Sequence, residues 1–501
     1  MSTASNLNRI KDSFLLHFAV LFVAVVAFVG KKPPFENEYI YLLRLVRTFN
    51  PDFLLNDASF AVPASEHWVF NHLFGLFTYF FSIEVISWGG RIFCWSVLLY
   101  AVMRLARRWE IPLWMATASI FLWLCQGQSV VAKEWIFGTF EAKCVAYIFL
   151  LFALEGFARD KVVYPAVLLG LTFSFHPAVG MWGILATGLA LLFCRWELPK
   201  LLKIGALTAV FALPGLIPLL SEVTRTASLD DWKFIELARF PQLFDPFSWS
   251  RNSICLVYLQ LGFCLLFYYT GAGANRRKFL PAFLTSLGLF FTAGLVLRGF
   301  EQYELLRFMP MRLFPVFVPL FFLLTFAEAY RRGLFSAAMK PVAAIGLLCL
   351  LMWQSPLTSG IEQVRETYRS WNAEMSDTAK SFAWVGENTP NGTVVIAPPW
   401  RPDFWYLSHR AQVASAVFPT YVDLGEWRER VETLSGESVE NKTDRQNDQR
   451  PKFYHALTTE QISKIAEGRN AKYLVTESDY PYRIVFVSGK SKVYALDQPH
   501  Q

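Results

Sequence analysis

Apolar runs near membrane-spanning length recur from residue 12 to residue 354, and they limit the possible folds more than any other feature. A hydrocarbon core about 30 Å thick is crossed by about 20 helical residues. Inside it, backbone N–H and C=O groups have no water to bond, so a lone crossing segment must be helical. Hydrophobic residues make up 54% of the 501 positions and aromatics 17%, against 17% charged. The chain therefore reads as a polytopic α-helical membrane protein. The first run lacks a small-residue cleavage site and is followed by Lys31-Lys32-Pro33-Pro34, so it reads as a retained span, not a secretory signal peptide. The net charge of +7 comes mostly from Lys and Arg in short loops and reports orientation, not nucleic-acid binding. The seven cysteines lie in or beside apolar runs without a CxxC pair, which leaves them as small buried apolar side chains.

The decisive stretch for topology is 68–86. It is apolar enough to span, yet it holds Asn71, His72, Gly75 and Glu84. If it lies flat on the outer surface, the next span is 91–106, and its basic end, Arg104, Arg107 and Arg108, falls inside. The remaining segments then alternate with their basic loops inside. The expected spans are 12–30, 91–106, 112–126, 142–158, 162–176, 178–194, 202–220, 253–272, 279–297, 308–327 and 341–354, about eleven in all. Lys31 and Lys32 are the exception to the charge rule. The expected N-terminus is cytoplasmic. A transmembrane domain covers 1–357, with a first external loop 31–90. An extracytoplasmic domain covers 358–501.

That last part is a different material, with dense charge and short apolar runs. Residues 392–397 and 471–476 read as buried strands, and 484–487 with 492–496 as a strand pair around Ser488-Gly489-Lys490. Helical patterns over 372–386, 423–434 and 459–467 alternate with them, which predicts a small α/β domain. Residues 436–451 are polar enough for a mobile loop.

The expected topology gathers mixed acids, bases and histidines on the outer side, whereas the inner loops carry mainly bare Lys and Arg, suited to anchoring. Glu36, Glu38 and Asp57 follow the first span, and ionisable groups at a membrane edge point to function. They are the candidate catalytic base or charge stabiliser. His72 lies in the same loop. Lys133, Glu134, Glu141 and Lys143 flank the second outer loop, His176 sits at an outer turn before Pro177, and Arg298, Arg307 and Arg312 lie late in the chain. These nine are candidate substrate-binding residues. Each also has a plainer reading: His176 as a helix break, Asn56-Asp57 as a turn, Lys133-Glu134 and Glu141-Lys143 as ion pairs, Arg298 and Arg307 as lipid-facing snorkels. The aromatic abundance mostly reads as lipid-facing surface and interface belts. No dense Asp cluster demands a metal.

Asn37-Glu38-Tyr39-Ile40-Tyr41 resembles the acidic motif in the first external loop of GT-C-fold glycosyltransferases, of the protein mannosyltransferase and aminoarabinose transferase type. In that family an acidic pair, two residues and a tyrosine follow the first span. An apolar helix then lies on the membrane, here Phe70 to Phe81, and an arginine opens the next span, here Arg91; the resemblance thus adds Tyr41 and Arg91 to the candidate substrate-binding residues. The tail is similar as well, through Trp384…Glu387-Asn-Thr-Pro390, Ala397-Pro-Pro399, Ser408-His-Arg410 and Glu426-Trp427-Arg428. The resemblance implies transfer of a sugar from a polyprenyl-phosphate donor to an acceptor glycan, lipid or protein on the outer face, in a cell envelope such as the bacterial inner membrane. It implies cationic stabilisation of the leaving phosphate, with divalent-metal assistance in some members. One departure matters: Asn37 stands where the family usually has Asp, and an amide cannot take a proton. Two other readings stand beside this one: a lipid or polysaccharide transporter or flippase, and a non-catalytic scaffold that binds lipid-linked glycan.

Overall fold

The structure is a computed structural model and describes residues 13–62, 65–223, 227–269, 278–334, 336, 339–352, 356–417, 423–439 and 449–499. Among the described residues, each expected span coincides with a helix: α1 (Phe14–Val29), α4 (Ile83–Arg108), α5 (Leu113–Cys125), α6 (Ala142–Phe157), α7 (Val163–Phe175), α8 (Pro177–Phe193), α9 (Leu198–Val223), α10 (Arg251–Tyr269), α11 (Phe279–Gly299), α12 (Phe314–Arg331) and α13 (Lys340–Met352). Five of these, α4, α9, α10, α11 and α12, are long and apolar enough to cross a membrane, and α1, α5, α7, α8 and α13 are shorter apolar helices.

Between α1 and α4, helix α2 (Glu38–Phe49) is followed by α3 (Trp68–Gly75) and a short 3-10 turn over Leu76–Tyr79. Stretch 68–86 is thus no continuous helix. Eight residues of α3 rise only about 12 Å, well short of a bilayer core. The span that follows is longer than 91–106, because it runs unbroken from Ile83 to Arg108.

The chain divides into two compact units. The first comprises Met1–Lys32, Trp88–Ile217 and Gln242–Trp371 and holds the apolar helices. The second comprises Pro33–Ser87, Pro218–Pro241 and Asn372–Gln501. Grouped by contacts, the chain does not divide at 357/358 alone. Helix α14 (Pro356–Asn372) belongs almost wholly to the first unit, and the first loop groups with the C-terminal residues.

Large aromatics fill the interior of the first unit. Trp95, Trp109 and Trp123 are fully buried, so the aromatic content serves the core as well as the lipid-facing surface. Two of their indole N–H groups donate to loop carbonyls, Trp95 to Gly138 at 2.9 Å and Trp123 to Gln128 at 2.6 Å. A buried indole needs such a partner.

The second unit is built on a five-stranded sheet in the order β2-β1-β3-β5-β4. Its strands are β1 (Val394–Ile396), β2 (Ala411–Gln412), β3 (Ala471–Thr476), β4 (Tyr482–Ser488) and β5 (Ser491–Pro499). β1 runs parallel to β2 and β3, and β5 antiparallel to β3 and β4. Helices Asp377–Asn388, Leu424–Ser435 and Thr459–Arg469 match the expected helical segments. Of the polar stretch 436–451, residues 440–448 lie outside the described residues. Alternate residues of β1 face opposite ways. Val395 packs with Phe382, Phe404, Trp405 and Val493, and Ile396 with Leu434, Tyr454 and Ile462. Ile40, Leu43, Leu54 and Phe60 from the first loop complete the Val395 side. Burying each such side chain contributes about 1.5–3 kcal/mol, which holds the loop to the sheet.

Candidate functional site

The loop between α5 and α6 is folded around one side chain. Gln128 is buried; its Oε1 accepts from the backbone N–H of Ile136 and Phe137, both at 2.8 Å, and its Nε2 donates to Phe137 O at 2.7 Å. A single amide thus closes a loop that contains Glu134. Gly138 lies against the Trp135 ring, where an added Cβ would come within 2.4 Å of the ring. The ring in turn lies under the Lys143 ammonium, 3.5 Å from its centroid.

Four charged side chains converge here, all well buried. Arg312 Nη1 lies 2.9 Å from Glu134 Oε1, and Lys143 Nζ lies 3.2 Å from Glu141 Oε1 and 3.8 Å from Glu134 Oε2. Arg312 keeps 10% of its side-chain surface exposed and the other three 6% or less. Beside them is a cavity of about 10 Å³, room for about one water, lined by Ala132, Glu134, Leu243, Met309, Met311 and Arg312. Ala132 (φ 63°) and Met309 (φ 53°) both lie in the left-handed region without being glycine. Such backbone costs about 1–3 kcal/mol per residue and clusters at functional sites. Four of the predicted residues, Glu134, Glu141, Lys143 and Arg312, therefore form one constellation. Lys133, at φ 50° in the same loop, is exposed.

The other predicted residues of the helical unit take separate places. Arg298 pairs with buried Asp245 at 2.8 Å and lies over Phe247 and Tyr303. Exposed Arg307 lies over Phe308. His176 is the N-cap of α8, its Nδ1 accepting from Val179 N at 3.3 Å. Arg91 is buried, donates to Lys31 O at 2.5 Å and lies over Trp88. Glu155 is buried and pairs with both Arg104 and Arg159, two of the arginines expected at inner loops, so neither is a bare cation. Lys31 Nζ lies 2.8 Å from Glu366 Oε2, and Lys32 N donates to Ser370 Oγ.

In the second unit Glu38 has no exposed surface. It is the first residue of α2, where the helix dipole favours an anion. Its Oε2 accepts from Phe35 N at 3.1 Å and its Oε1 from Ser87 Oγ at 2.8 Å. The carboxylate presented by the motif is thus turned inward, whereas Asn37 and Glu36 are exposed. Asp57 is also inside. It accepts from Ser59 N and Gln412 N, each at 2.8 Å, and from Trp405 Nε1 at 2.7 Å. Burial pushes its carboxyl up to about 6, against the pull of these donors. This carboxyl ties the first loop to the sheet and has no open face toward a substrate. Tyr41 packs edge-on against His67, and His72 stacks on Trp68 with its Nδ1 2.8 Å from Trp68 O.

No family model and no curated protein matches the chain. Among solved structures, ArnT from Cupriavidus metallidurans, bound to undecaprenyl phosphate, matches over 96% of this chain and 98% of its own, at 13% identity and a TM-score of 0.48. A likeness of that size assigns neither family nor activity.

The sequence reading missed Gln128, Asp245 and the two methionines at the cavity. Met309-Pro310-Met311-Arg312 ahead of a span was a usable signal for the last pair. Gln128 and Asp245 carried none, because their value lies in which backbone and side-chain groups the fold brings to them. Among the described residues, no group of three or more His, Cys, Asp or Glu could hold a metal ion.

Proposed function

We propose that this chain is an integral membrane glycosyltransferase of the GT-C type, moving a sugar from a polyprenyl-phosphate donor to an acceptor on the outer face. One observation carries the reading: Glu134 pairs with Arg312 and with buried Lys143, and Glu134 and Arg312 line a cavity together with two left-handed non-glycine residues, Ala132 and Met309. A departing lipid phosphate needs cations, and a forked guanidinium with an ammonium meets a phosphate well. Before substrate arrives, Glu134 holds both cations in place. Met309 and Met311 are unbranched and repack readily, so the small cavity can widen.

In the reaction the acceptor hydroxyl oxygen attacks the anomeric carbon, and the bond from that carbon to the phosphate oxygen breaks. The electron pair leaves with the phosphate, where Arg312 and Lys143 offset its charge. Once those cations turn to the phosphate, Glu134 is released to take the hydroxyl proton. Glu134 thus replaces Glu38 as the proposed base, because Glu38 is engaged by Ser87 and Phe35 and lacks an open face.

The test is transfer from lipid-linked sugars by the protein in nanodiscs, read as release of polyprenyl phosphate. Glu134→Gln should lower turnover by about 10²–10⁴, the range for a lost general base, and leave polyprenyl-phosphate binding in place. Wild-type turnover in Glu134→Gln would sink this assignment.

A second reading, a binder of lipid-linked glycan without turnover, is favoured by exposed Asn37 in the motif's acidic position and by the enclosure of Glu38. Polyprenyl-phosphate binding with no transfer, across a panel of sugars and acceptors, would select it.

A further inference from the structure

Helix α14 follows the last apolar helix, and its residues sort into three sectors. With 3.6 residues per turn, Gly360, Gln363, Thr367 and Ser370 share one sector. Gly360 and Thr367 are buried, Gln363 and Ser370 half-buried. Glu362, Arg365, Glu366 and Arg369 form a charged sector on the far side, all exposed. Arg365 and Arg369 pair there with Glu362 at 3.6 and 3.1 Å. Between these two lies a third sector, Ile361, Val364, Tyr368 and Trp371, at i, i+3, i+7 and i+10. These four large apolar side chains are 53%, 40%, 69% and 47% exposed, a contiguous stripe that water would not favour.

Gln363 and Thr367 of the inward sector, with Trp371 at the edge of the stripe, say where this helix lies. Gln363 Nε2 donates to Cys125 O at 2.8 Å, Thr367 Oγ1 to Phe28 O at 3.1 Å, and Trp371 Nε1 to Gly30 O at 2.8 Å. These carbonyls belong to the C-terminal ends of α5 and α1, where the last turns have no intrahelical donor. α14 therefore lies across the C-terminal ends of two apolar helices. Gly360 permits the approach, since a Cβ there would come within 3.0 Å of the Cys125 sulfur.

We propose that α14 is an interfacial helix. Its Ile361/Val364/Tyr368/Trp371 stripe rests in the headgroup and upper acyl region of the bilayer, while Glu362, Arg365 and Arg369 face water. Two observations select lipid as the occupant. The stripe sits where two apolar helices end, and it places a tyrosine and a tryptophan there, the residues suited to a membrane–water boundary. Its separate polar and apolar faces are those of a helix lying in the plane of the membrane. Lys31, bonded to Glu366, then sits in the headgroup layer, which accounts for basic residues on the unexpected side.

The experiment places a benzophenone amino acid at Tyr368, and separately at Glu362, in the full-length protein in phosphatidylcholine/phosphatidylglycerol nanodiscs. After irradiation, mass spectrometry identifies the adducts. Lipid adducts at 368 should exceed those at 362 several-fold. Equal lipid labelling at both positions, no lipid adduct at 368, or adducts at 368 with another protein copy would each overturn the proposal.

Discussion

Arg312 Nη1 lies 2.9 Å from Glu134 Oε1, with both side chains buried. A carboxylate withdrawn from water this far is stable only because its cations are withdrawn with it. Removing one partner strands the other, at a cost of about 3–5 kcal/mol. This pair thus supports the fold and, in the proposed reaction, stores the cations that meet the phosphate.

The first prediction separates charge from shape at that pair. Arg312→Lys keeps the charge and loses the planar fork, so polyprenyl-phosphate affinity should fall about tenfold or more, equivalent to about 1.4 kcal/mol. Thermal stability should change less than in Arg312→Ala. Titration with a synthetic polyprenyl phosphate reads the first effect and thermal unfolding in nanodiscs the second. Equal affinities for wild type and Arg312→Lys would remove Arg312 from the phosphate site.

The second prediction concerns Gln128. Gln128→Leu leaves the N–H groups of Ile136 and Phe137 buried without their acceptor, each costing about 1–3 kcal/mol. The loop carrying Glu134 should loosen, visible as faster amide exchange over residues 128–137. Protection at the wild-type level would show that the loop is held by other contacts.

These residues also show what the sequence could and could not disclose. The spans were legible because a bilayer selects on length and apolarity, both local properties of a run. The strands around Ser488-Gly489-Lys490 were legible for the same reason, as alternation and turn chemistry sit within a few neighbours. Glu134 and Lys143 could be named as candidates by their loop. Their meeting with Arg312 could not, because it depends on how α6 and α12 pack. The enclosure of Glu38 was equally illegible, because it depends on Ser87, at the start of the next long helix. The place of α14 against the apolar helices was not legible because it is as charged as a soluble helix, its Ile361–Trp371 stripe being dispersed among Glu and Arg.

The third prediction follows from that enclosure. In Glu38→Gln the amide oxygen can still accept from Phe35 N while the amide NH2 donates to the Ser87 hydroxyl, so only the charge is lost. The expected cost is that of an anion removed from the first turn of α2, about 0.3–1 kcal/mol of stability. Under the proposed mechanism, whatever activity remains per folded molecule should far exceed that of Glu134→Gln. Complete loss of turnover in fully folded Glu38→Gln would return the base role to Glu38.

The fourth prediction is a pH dependence set by Asp57. Its carboxyl titrates near 6 in the folded chain, because burial outweighs three N–H donors, and near 3.9 when unfolded. A raised folded value means that the protonated form is the better folded one. The contribution is complete below about pH 4, falls as pH rises, and is gone above about pH 6. The shift corresponds to roughly 3 kcal/mol. Other carboxyls also titrate in this range, so the readout is the stability difference between wild type and Asp57→Asn, which lacks the titrating group. That difference should shrink from pH 4 to pH 6 and stay level above. A difference that grows over the same interval would mean that the N–H groups of Ser59, Gln412 and Trp405 outweigh burial and hold Asp57 as an anion.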